Sequence, residues 1–123
     1  MRLGAIAAVL ALLLAAPARA EGLAVVGATW IRNDAPVGDC VLVVERDRIK
    51  ALGTRAEVPI PKGVLIVDGR RRVLAPIAGA PPLAVGQVAD FVLLDRDPRQ
   101  DAAALAHPYK TVKAGRVVAA REP

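Results

Sequence analysis

Metal-assisted hydrolysis is the first chemistry to test, because residues 90–107 hold four aspartates, Asp90, Asp95, Asp97 and Asp101, together with the single histidine, His107. A hydrolytic zinc centre draws three protein ligands from His, Asp, Glu and Cys and leaves one position open for water. One histidine does not supply that set. His107 stands beside Pro108 at an expected helix end, where an imidazole caps carbonyls or meets the helix dipole, so its expected role is structural and at the surface. The aspartates flank a strand and its turns, which is ordinary work for short carboxylates. Their spacing also lacks the central glycine and terminal glutamate of a calcium loop.

Nucleophilic catalysis has less to build on. The chain contains no serine, hence no Gly-x-Ser-x-Gly elbow, and Thr29, Thr54 and Thr111 have no base beside them in sequence. Cys40, the only cysteine, is followed by Val41 to Val44 and reads as a small core residue; no internal disulfide is available to it. No glycine-rich loop opens a helix to cradle phosphate. A pair of carboxylates acting as acid and base would be a spatial feature, invisible in sequence. No catalytic, cofactor-binding or metal-ligating residue is therefore assigned, and no cofactor is expected.

The elements that would position such residues are short strands. Phe91-Val92-Leu93-Leu94 is a four-residue apolar run stopped by Asp97-Pro98, so it reads as a central strand buried on both faces. Gly86 permits a bend into it, and Asp90 can bond backbone amides at its entrance. Leu23 to Ile31 forms a strand interrupted at Gly27 by a bulge or a close backbone approach. Asn33-Asp34-Ala35-Pro36 to Gly38-Asp39 is expected as a loop. Cys40 to Glu45 follows as a strand apolar on both faces, and Arg46-Asp47-Arg48 turns it into Ile49 to Leu52. Pro59 and Pro61 make residues 56–63 a crossing loop. Val64 to Val67 and Arg72 to Leu74 are strands with Asp68-Gly69 as a hairpin turn between them, and residues 77–88 form a linker rich in Gly and Pro. Asp101 caps one or two helical turns ending at Pro108, and Thr111-Val112-Lys113 pairs with Arg116 to Ala119 around Ala114-Gly115. The pattern predicts a mostly β fold, a β-sandwich or small barrel-like roll of seven or eight short strands with one short helix.

Residues 1–20 are expected to be a signal peptide. Arg2 gives a positive start, Ile6 to Ala16 a short apolar segment, and Ala18-Arg19-Ala20 a cleavage site, while Pro17 and Arg19 break the roughly 20 apolar residues a membrane span needs. Cleavage would leave a periplasmic or secreted chain of one domain, 21–123, and lower the formal charge from +5 to +3. That charge is mild, and the basic residues are scattered over turns. The one cluster, Arg70-Arg71-Arg72, reads as a solvated turn. With one Trp, one Tyr and one Phe there is no aromatic platform for bases, so no nucleic-acid partner is expected, nor a membrane after cleavage.

The segments "GATWIRND", "VLVVERDRIKALG" and "VPIPKGVLIVDGRRRVLAP", followed later by "LAVGQVADFVLLDRDP" and "YKTVKAGRVV", resemble the two flanks of the metal-dependent amidohydrolase superfamily, its imidazolonepropionase-like and dihydroorotase-like members among them. The resemblance implies a composite β-sandwich built from residues 21–76 and 89–123. It also implies a family activity, hydrolysis of carbon–nitrogen bonds other than peptide bonds. In the family a His-x-His strand and a (β/α)8 barrel with further metal ligands separate those flanks. Such a barrel takes roughly 200–250 residues, and only residues 77–88 stand here. The expectation is an exported sandwich without its catalytic barrel, non-catalytic alone. It would engage a protein partner or a second copy through the face the barrel would cover, or else be a truncated remnant.

Overall fold

A computed structural model describes residues 22–121; the expected signal peptide lies outside the described residues. Eight strands form: β1 Gly22–Arg32, β2 Ala35–Glu45, β3 Arg48–Thr54, β4 Leu65–Asp68, β5 Val73–Pro76, β6 Phe91–Leu94, β7 Lys110–Lys113 and β8 Arg116–Ala120. The helical piece is a 3-10 helix at Ala102–Ala106, with Asp101 accepting from the Ala103 amide at 3.1 Å. The fold is mostly β, with no long helix among the described residues.

All eight strands belong to one hydrogen-bonded sheet, ordered β3-β2-β1-β5-β6-β7-β8, with β4 also on β1. The long β1 joins its limbs. Its first half, Leu23 to Val26, pairs in parallel with β4, and Thr29 and Trp30 pair in parallel with β5. The bulge between them falls at Gly27, whose φ of +92° suits glycine.

The turn Asp68-Gly69 therefore does not reverse the chain. β4 and β5 run in the same direction along one neighbour, and the segment between them jogs past the bulge, with Gly69 N donating to Val26 O and Thr29 N to Arg72 O. A β-carbon on Gly69 would stand 2.8 Å from that of Ala28, so the jog needs glycine there.

The loop expected over residues 33–39 is much shorter. Asn33 and Asp34, both at positive φ, make a two-residue turn, and β2 begins at Ala35. Arg32 and Ala35 flank that turn, so Ile31 and Pro36 are a non-hydrogen-bonded pair and the proline nitrogen points away from β1. On that side β3 has already ended, its last partner being Cys40, so the missing N–H breaks no ladder.

The sheet folds over so that both limbs line one interior. Leu23, Val25, Leu42, Val44, Ile49 and Val67 share a core with Leu74, Phe91, Leu93 and Val112. The opposite face of β1 and β2 is covered by the crossing loop through Val58, which packs with Ala24, Val41 and Val43. Ala104 of the 3-10 helix packs against Ala75, Val92 and Leu94 on the outer face of β5 and β6. That is why β2 and β6 are apolar on both faces.

Residues 77–88 contain no regular element, as expected, but they are built into the fold. Leu83 enters the core, Gly86 N donates to Ile49 O, and Ile49 N donates to Gln87 O. Ala89 then accepts from Gly115 and donates to Asp47, which clips the β2–β3 turn to the β7–β8 turn.

Candidate functional site

The four aspartates that invited a metal reading go to four separate places. Asp90 accepts from the Ala114 amide at 2.7 Å, holding the β7–β8 turn rather than its own strand entrance. Asp97 takes the guanidinium of Arg99, which also reaches the Asp34 carbonyl of the β1–β2 turn. The Arg99 hydrogen bonds hold its carboxyl below the usual carboxylate range. Asp101 caps the 3-10 helix, and His107, at that helix's C-terminal end, is exposed. Among the described residues, no group of three or more His, Cys, Asp or Glu side chains could hold a metal ion. The residues present do not fit the metal that the amidohydrolase resemblance implies.

Cys40 is fully buried and unpaired, and burial pushes its thiol up to about 11. A thiol so protonated near neutral pH is a weak nucleophile.

The built polar constellation surrounds Asp95 and was not legible as a site. Asp95 lies one step beyond the antiparallel register that pairs Val73 with Leu94, which sets it opposite Arg72. Arg72 Nε stands 3.4 Å from Asp95 Oδ1, close enough to pair as ions. The alignment is unsuitable for a hydrogen bond, so this buried nitrogen has no hydrogen-bond partner among the described residues. The Arg72 guanidinium carbon lies 3.8 Å from the centroid of the Tyr109 ring, a cation–π contact. Arg121, at the end of the closing hairpin, pairs with the other oxygen of Asp95 and donates to the His107 carbonyl. Lys110 approaches the same ring at 4.8 Å.

Beside this cluster a cavity of about 280 Å³ is lined by Asp68, Arg70, Arg71, Arg72 and Tyr109. Asp68 is gripped by Arg70 through Nε and a terminal nitrogen, which lowers its carboxyl to about 2. The arginine triplet read as a solvated turn thus includes one half-buried member, Arg72, its side chain 21 % exposed. The register of β5 against β6 is the signal that would have found it.

A second concavity, about 650 Å³, lies between β4 and β8 and is lined by Leu23, Val64, Leu65 and Val117. Leu65, Ile66 and Val118 are more than half exposed, on strands that among the described residues are each hydrogen-bonded along only one edge. No helix among the described residues is long and apolar enough to cross a membrane.

Neither a family model nor a curated protein matches the sequence. Among solved structures the chain is similar in part to molinate hydrolase, 24% identical over 46% of this chain and 13% of that one, with a TM-score of 0.42. It is also similar in part to the guanine deaminase of E. coli, 18% identical over 45% of this chain and 16% of that one, with a TM-score of 0.37. These are distant, partial structural matches, and the chain spans a small fraction of the length of either protein.

Proposed function

We propose that this chain is an exported, non-catalytic β-scaffold of amidohydrolase-like descent, its folded-over sheet corresponding to the composite sandwich of that superfamily. The observation that carries the reading is that the limbs before residue 77 and after residue 88 share one interior while only twelve ordered residues join them. No catalytic barrel fits in that space. The test is an assay of the purified chain with zinc or manganese against amide and cyclic-amide substrates. No turnover above the metal alone is expected; metal-dependent turnover that chelation abolishes would refute the reading.

A second reading, self-association, is favoured by the outer edge of β8, which pairs with no strand among the described residues. Its Val117-Val118-Ala119-Ala120 run carries neither Lys nor Pro to block pairing, and an antiparallel edge can pair with its own copy about a two-fold axis. Light scattering after gel filtration decides it. A dimer dispersed by Val118→Lys supports self-association, whereas a monomer, or co-purification with a barrel-bearing protein, argues against it.

A further inference from the structure

We infer that the cavity at the β4–β5 jog is an anion site that takes a phosphate group, free or at the end of a small monoester. Five cations, Arg70, Arg71, Arg72, Lys110 and Arg121, stand around the cavity and the Tyr109 ring against two carboxylates, Asp68 and Asp95. The excess among the described residues is three positive charges. Asp68 neutralises Arg70, and Asp95 is shared by Arg72 and Arg121, so among the described residues Arg71, Lys110 and one of that shared pair are left without a counter-charge, and Arg71 lines the cavity itself.

Size and geometry select the ligand. A volume of about 280 Å³ falls just below the range of drug-sized ligand pockets, roughly 300–1,000 Å³, and suits a compact anion. Arginine forks match the oxygens of phosphate in pairs, which favours phosphate over chloride. The Tyr109 ring already lies under Arg72, which fixes that guanidinium and takes up one face of the ring. The backbone supports the same reading. Arg71 sits at φ +66°, a left-handed conformation that costs an L-residue, and such outliers concentrate at binding sites. That conformation holds an exposed arginine at the cavity rim, where a glycine would carry no such cost.

The test is calorimetric titration of the full chain with inorganic phosphate at fixed ionic strength, with sodium chloride as the reference salt. Saturable binding is expected with phosphate and not with chloride. Arg71→Gly removes the guanidinium while suiting the local φ, so the fold is retained and phosphate affinity should fall roughly tenfold or more, as for loss of a charged hydrogen bond. Arg72→Lys should weaken binding as well, because an ammonium cannot reproduce the fork. Arg96→Ala, an exposed arginine outside the cavity lining, should bind as the parent does. Competition by glycerol phosphate would extend the site to monoesters, and its absence would restrict it to the free ion. No saturable phosphate binding, or equal weakening by Arg71→Gly and Arg96→Ala, would overturn the inference.

Discussion

Replacing Gly115 by alanine tests how the sheet closes over its core. Gly115 is the second residue of the β7–β8 turn, at φ +81°, and its amide donates to Ala89 O at 3.0 Å. A β-carbon there would lie 2.1 Å from the carbonyl oxygen of Arg46 in the β2–β3 turn. The obstacle is backbone, so no side chain can swing aside and the two turns must separate. Two costs combine. A left-handed φ costs an L-residue about 1–2 kcal/mol, and overpacking adds about 1–3 kcal/mol. The substitution should therefore destabilise the chain by about 2–5 kcal/mol, a large share of the stability of a small domain. Gly63→Ala is the control: its φ is +82°, but nothing lies within 4 Å of the added carbon, so it carries only the first cost. Urea unfolding followed by circular dichroism should place Gly115→Ala below Gly63→Ala by about 1–3 kcal/mol at similar m-values. Equal stabilities would refute the packing of one turn on the other.

Asp90→Ala should cost about 1–2 kcal/mol in the same assay, because the carboxylate's bond from the Ala114 amide is lost; a neutral result would remove Asp90 from the account of the closing hairpin. Cys40 should stay unlabelled by a disulfide reagent at pH 8 in the native chain and react in step with unfolding, since its thiol titrates at about 11; rapid native labelling would contradict its burial. Asp39, Asp68 and Asp97 are held below the usual carboxylate range by Arg55, Arg70 and Arg99, respectively. Depressed carboxyls stabilise the fold fully above the unfolded range, near about pH 4, and that contribution is lost as pH falls through their folded values, about 2 for Asp68. Melting temperature should therefore be level near neutrality and fall below about pH 4, and Asp97→Asn should shallow that fall. An identical acid profile in the variant would refute the role of the Arg99 pair.

The sequence by itself determined the features that a few adjacent residues settle. Four apolar residues before Asp97-Pro98 required a strand buried on both faces, and β6 is that strand. Gly27 marked a bulge or a close backbone approach, Asp101 the helical cap and Ala114-Gly115 the closing turn, because each depends on local φ or on one side chain reaching a nearby amide. Tertiary structure decided which strands pair. Asp68-Gly69 is compatible with a reversal, but β1 is long enough to accept β4 and β5 one after the other, so the chain continues forward. Pro36 argued for a loop, yet it is accommodated where β3 has already ended. The Arg72, Asp95, Tyr109 and Arg121 cluster arises only from the β5–β6 register and the closing hairpin. Its members come from separated stretches whose meeting depends on long-range burial, and local preference does not encode that energy.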